Sequence, residues 1–192
     1  MSGVALPALE ALYAQTDDPW NFRHSAYEQA KFARTRQALA FRRWGAVLEA
    51  GCGNGALARH LAPLCRHYTG IDAVPRALEA ARSAVPGARF ERCLLPDELP
   101  DDPPGGPFEL IILSEVLYFL DAGGIARLAA QVSARWPEAW VLAVNWCGES
   151  GNALQGPQAQ ALFEAHLPGG WACLHIEPDY RIDIRRPGRG GA

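Results

Sequence analysis

The sequence predicts an α/β domain built on a doubly wound, mostly parallel seven-stranded sheet. Three observations carry that prediction. Short apolar runs alternate with helix-like segments along most of the chain. A glycine turn at 51–55 directly follows the first run. The last two runs, 171–177 and 180–186, are joined by the short link Pro178-Asp179, the pattern of an antiparallel hairpin. The 192 residues fit one domain. With 49% apolar and 20% charged residues the chain can fill a core, and disordered, collagenous and coiled-coil classes are excluded. The expected divisions are an N-terminal helical cap over 1–45, an α/β core over 46–186 and a frayed tail over 187–192.

The chain starts loosely up to the turn-forming Asp17-Asp18-Pro19. Residues 24–43 then combine good helix formers with apolar Tyr27, Phe32, Leu39 and Phe41, which predicts the cap helix. The first strand is expected at 46–50, followed by the turn 51–55 and a helix at 56–64. A second unit repeats the pattern: a strand at 68–71 ending on Asp72, then a helix at 75–84 whose Pro75 suits a first helical position. Residues 88–92 give a third strand, and 96–107, rich in Pro, Gly and Asp, a loop. The run 108–113 is almost wholly apolar, as a central parallel strand covered on both faces requires. A helix from Asp121 to about 135, a strand at 140–146, a helix near 158–167 and the hairpin complete the sheet.

The charge excludes some partners. The chain carries 18 Lys+Arg against 21 Asp+Glu, a net charge of −3, opposite to the basic face that a phosphate backbone demands. Lys31 is the single lysine, so nearly all positive charge is arginine. The five cysteines are widely spaced without a Cys-x-x-Cys pair, which fits reduced thiols in a cytoplasmic protein and predicts no metal centre. The longest apolar stretch, 110–120, is broken by Ser114 and Glu115 and falls short of the ~20 residues of a membrane span. The first twenty residues lack the order of a signal peptide.

The chemistry concentrates where strands end. Glu49-Ala50-Gly51-Cys52-Gly53-Asn54-Gly55 places glycines at alternate positions after a strand, where positive φ and close ligand approach are possible. A dinucleotide fingerprint would need its third glycine one residue later. Glu49 would also repel a diphosphate and attract a cation. Both departures favour S-adenosylmethionine, whose amino group and sulfonium are positive. Asp72, at the end of the second strand, is placed to accept both ribose hydroxyls, with Ala73 beside it and Leu94 after the third strand completing that wall. Ser114, Glu115, Val116 and Tyr118 leave the fourth strand beside the same crevice. Ser114, Glu115 and Val116 are expected at the cofactor, and Ser114, Glu115 and Tyr118 at the reacting atoms. Glu115 is the first candidate base for an amine acceptor and His24 the second. The aromatic-ended Asn/Asp-Pro-Pro sequence of nucleic-acid and glutamine amino-methyltransferases is missing from this position, and Asp102-Pro103-Pro104-Gly105 lies in the wrong loop. Tyr27 and Lys31 have the Tyr-x-x-x-Lys spacing of short-chain dehydrogenases, yet they precede the nucleotide unit rather than follow it.

With these residues in view, 46–146 resembles the catalytic core of class I S-adenosylmethionine-dependent methyltransferases, whose fold is Rossmann-like. A finer likeness joins Asp18-Pro19-Trp20, Tyr27-Glu28 and Lys31 to 48–55 and 113–118. This pattern resembles the nodulation protein S (NodS-like) group of N-methyltransferases, and the resemblance covers about 17–150. Members related to that group methylate a free amine of deacetylated chitooligosaccharides. The resemblance implies that Trp20 and Arg23 close over the cofactor, and that the acceptor is a small molecule or oligosaccharide. One departure stands out: the group's Gly-Asp segment after the fifth strand is replaced by Gly156-Pro157-Gln158, and the next histidine is His166. The expected activity is methyl transfer to an amine by a monomer or homodimer. The alternatives are a small-molecule O-methyltransferase and a non-catalytic subunit that binds the cofactor or its product, S-adenosylhomocysteine.

Overall fold

The central strands form because their side chains are apolar on both faces, and a sheet with two apolar faces must be covered twice. In a computed structural model, which describes residues 6–188, β1 (Trp44–Ala50), β2 (Cys65–Asp72), β3 (Arg89–Arg92), β4 (Leu110–Ser114) and β5 (Trp140–Trp146) pair in parallel. The hairpin β6 (Gly170–Ile176) and β7 (Tyr180–Arg186) closes the sheet, with β7 antiparallel to β5, in the order β3-β2-β1-β4-β5-β7-β6. The expected seven-stranded architecture is therefore present. Residues 189–192 of the expected frayed tail lie outside the described residues.

Alternation along β4 shows how the two layers assemble. Ile111 and Leu113 face α5 (Ala122–Arg135) and α6 (Gly156–His166), where Ile125, Leu128, Val132 and Phe163 pack. Leu110 and Ile112 face the other layer, formed by α2 (Ala26–Leu39), α3 (Ala56–Leu61) and α4 (Pro75–Ala84), where Leu39, Leu57, Leu61 and Leu78 pack. Strand order reverses between β1 and β4, so the carboxyl ends of β1, β2 and β4 border one crevice.

Several boundaries depart from expectation for local reasons. The loose start contains a helix, α1 (Leu6–Gln15), because Leu6, Leu9 and Tyr13 form a stripe that packs on Val74 and Ala77. The cap helix is shorter than 24–43. Ser25 caps its start by accepting from the Glu28 amide at 3.3 Å. It stops at Leu39, whose carbonyl accepts from the Trp44 indole at 3.1 Å, and Trp44 already belongs to β1. The helix expected at 56–64 tightens into a 3-10 turn over Ala62–Leu64, where Pro63 cannot donate. Phe108 stays outside β4 and packs edge-on against Trp136. Among the described residues no helix is long and apolar enough to cross a membrane, and no cluster of His, Cys, Asp and Glu could hold a metal ion.

Candidate active site

The glycine turn divides its labour. Gly51, Gly53 and Gly55 all have positive φ, at 81°, 50° and 79°. A Cβ on Gly51 would stand 2.5 Å from the Ser114 carbonyl oxygen, and one on Gly55 2.9 Å from Ala81 Cα, so these two let β4 and α4 approach. Gly51 and Gly53 both line a cavity of about 560 Å³ at the crevice. The amides of Gly51 and Cys52 both donate to the Ile71 carbonyl, at 2.9 and 3.0 Å, and pin the turn to β2.

Asp72 ends β2 at the wall of this cavity. Its carboxylate accepts from the Gly53 amide and the Val74 amide, each at 2.9 Å. Burial raises its pKa, and those two amides hold the rise back. Because each oxygen keeps a second lone pair, the group can still accept from a ligand. Glu49 lies deeper. It is buried, takes a hydrogen bond from the Tyr68 hydroxyl at 2.6 Å, and borders a smaller void of about 40 Å³ beside the main cavity. Burial pushes its carboxyl up to about 8, against the pull of that hydroxyl.

The cap forms the roof. Trp20, 42% exposed, stacks on Phe22 at 5.7 Å between centroids and meets Tyr13 edge-on at 5.5 Å. Asp18 holds this loop in place. Its carboxylate accepts from the amides of Phe22 and Arg23 at 2.8 and 3.0 Å, and from the Asn54 side chain at 3.0 Å. Leu94, 43% exposed, and Ala73 line the opposite wall, as do Ser114 and Val116.

A charged cluster lines the same cavity. Glu115 follows β4 with φ of 54°, a conformation that a residue with a Cβ rarely adopts. One carboxylate oxygen accepts from Lys31 Nζ at 2.7 Å. The other accepts from the Tyr118 hydroxyl at 2.9 Å and the Trp146 amide at 2.6 Å. Lys31 Nζ also lies 3.0 Å from Glu28, and 5.6 and 5.9 Å from the ring centroids of Tyr27 and Tyr180. Burial works against the ammonium, but the Glu115 and Glu28 carboxylates outweigh it and raise the Lys31 pKa. Glu28 is raised by burial, which its lysine only partly offsets.

Of the residues expected at the cofactor, Trp20, Gly51, Gly53, Asp72, Ala73, Leu94, Ser114, Glu115 and Val116 line the cavity. Ala50 and Cys52 are buried beneath it, and Gly55 caps α3. Asn54 supports the cap loop through Asp18 and the Asp17 carbonyl. Arg23 forms an exposed two-point pair with Asp17, its nitrogens at 2.9 and 2.6 Å, and does not line the cavity. His24 is exposed and is likewise absent from the wall, whereas Tyr118 is on it. Sequence reasoning misses Tyr13, Phe22, Trp146, Glu149 and Ser150, which also line the cavity. For Tyr13 the stripe with Leu6 and Leu9 is a usable signal; Glu149 and Ser150, in an irregular loop after β5, carry none.

The chain is similar to known proteins. The family model for Nodulation protein S (NodS) matches residues 9–133. Nodulation protein S of Bradyrhizobium diazoefficiens is 36% identical over 107 residues, 54% of this chain and 50% of that protein. The chain thus spans about half the length of the curated relatives it matches. A solved structure of a candidate methyltransferase from Pseudomonas syringae is 32% identical, with a TM-score of 0.68 covering 83% of this chain and 98% of that one. The N-methyltransferase NodS of Bradyrhizobium japonicum WM9, solved with S-adenosyl-L-homocysteine, is 19% identical. Its TM-score is 0.77, covering 95% of this chain and 97% of that one, a likeness of fold.

Proposed function

We propose that this chain, which belongs to the Nodulation protein S (NodS) family, is an S-adenosylmethionine-dependent methyltransferase. Its proposed acceptor is an amine, such as the free amino group of an amino-sugar or oligosaccharide. The observation that carries the reading is a single cavity lined both by the glycine turn with Asp72 and by the Glu28–Lys31–Glu115 cluster.

The glycine turn with Asp72 fits the cofactor. Gly53 has no Cβ where one would stand 3.1 Å from the Tyr13 hydroxyl, so the turn stays bare beside the cavity. Asp72 supplies the acceptor for paired hydroxyls, and the Trp20, Phe22 and Tyr13 rings shield the opening from water. The bound cofactor supplies an electrophilic methyl group carried on a sulfonium. The chain contributes alignment: Tyr118, Glu115 and Trp146 fix the wall that the acceptor faces. Glu28 and Glu149 give that wall negative charge, suited to drawing in an amine that arrives as a cation.

The test incubates pure protein with methyl-labelled cofactor and panels of amino-sugars, simple amines and phenols. Transfer to amines is expected. Transfer to hydroxyl compounds alone would overturn the amine reading, and cofactor binding without transfer to any panel would mark a binding subunit instead.

A further inference from the structure

The lone lysine of the chain is buried at the junction of four elements. Lys31 stands on α2 and its ammonium meets Glu115 beyond β4. Through Glu115 it is linked to the Trp146 amide at the end of β5, and it faces the Tyr180 ring at the start of β7. Tyr27 completes the enclosure, edge-on to Trp146 at 6.2 Å and to Tyr180 at 5.8 Å. Both Glu115 oxygens are therefore taken by the ammonium, a phenol and a backbone amide. A carboxylate held by three donors from three elements is well placed to hold a wall rigid.

We propose that Lys31 is the positioning residue of the acceptor end. Its ammonium locks Glu115 onto the Trp146 amide and the Tyr118 hydroxyl, and its fixed positive charge at the cavity wall favours the acceptor amine in its uncharged, nucleophilic form. The second half rests on the methyltransferase reading above; the first does not. The charge balance at this end is set by groups from every neighbouring element. These are Glu28 and Tyr27 on α2, Asp18 before it, Glu115 and Tyr118 after β4, Glu149 after β5, Asp179 before β7, and Tyr180 on β7 with Arg34 and Glu177 around its ring. Removing Lys31 leaves the carboxylates unopposed, so a bound amine should hold its proton to higher pH. Neutralising Glu115 should do the reverse.

Two measurements on the full chain loaded with S-adenosylhomocysteine or its methyl donor test this. Hydrogen exchange at the Trp146 amide needs no turnover. In Lys31→Met it should quicken about tenfold, and in Lys31→Arg it should return toward wild type. The pH midpoint of kcat with glucosamine as the amine should rise by about one unit in Lys31→Met and fall in Glu115→Gln. A merely structural lysine would impair both variants without moving the midpoints in opposite directions. Unchanged exchange in Lys31→Met overturns the lock, and midpoints that do not diverge overturn the charge role. If Lys31→Met does not fold, Glu115→Gln carries both tests: unchanged exchange at the Trp146 amide overturns the lock, and a midpoint that does not fall overturns the charge role. Should the wild type methylate no amine, the amine reading and the charge role fall together, while exchange alone still decides the lock.

Discussion

Around the glycine turn the chain works with backbone: left-handed glycines, amides donated to Ile71, and an Asp72 carboxylate accepting from Gly53 and Val74. Around Lys31 it works with side chains, a lysine bonded to a glutamate 84 residues away in sequence. The first kind of site is carried by short segments whose conformation is locally determined. The second exists only once α2, β4, β5 and β7 are packed, so its residue types can change while the fold persists.

The contrast can be broken or sharpened by mutation. The largest effect is expected at Gly51. Gly51→Ala forces a Cβ to positive φ and toward the Ser114 carbonyl oxygen, which should cost about 3 kcal/mol or more in urea unfolding. A near-neutral result would mean that the turn is not a fixed backbone site. Next, Asp72→Ala should weaken calorimetric affinity for S-adenosylhomocysteine by at least about tenfold, since it removes hydroxyl acceptors and leaves two turn amides unpaired. Unchanged affinity would remove Asp72 from the cofactor wall.

Glu49 ranks third. The folded chain holds the Glu49 carboxyl at about 8 against an ordinary 4.5, so folded molecules retain a proton that unfolded ones release. Its contribution to stability is therefore greatest below pH 4.5 and is lost as pH rises toward about 8. Glu49→Gln should flatten that fall when urea midpoints are compared at pH 6, 7 and 8. A variant with the wild-type pH slope would show that the buried carboxyl does not titrate as burial dictates. The smallest effect belongs to Arg23→Ala. Its guanidinium is exposed and paired with Asp17, so affinity for S-adenosylhomocysteine should stay within about twofold. A larger loss would show that the cap closes further over the ligand, carrying Arg23 inward.

Much of the fold and of the cavity wall is legible in the sequence. Alternating strands and helices, the turn at 51–55 and Asp72 rest on periodicity and on residues with narrow conformational preferences, and such signals act over a few residues. The helix α1 escapes a sequence reading because its stripe is short and weakly amphipathic, and only its seat on Val74 and Ala77 makes it stable. His24 and Arg23 lie near the right segment, but the side chains of a cap loop are aimed by Asp18 and Asn54, and sequence proximity does not report direction.

By itself, the order of residues determined the sheet, its glycine turn and the acid that ends β2, because each follows from backbone freedom and local hydrophobic pattern. Only the tertiary structure decided that Glu28, Lys31, Glu115, Tyr118 and Trp146 share one wall, and that Glu49 sits buried beside the cavity rather than on it. The reason is the range of the interactions involved. Torsional preferences act along the chain, whereas the balance between desolvation and charge pairing is settled by whichever distant groups packing brings together.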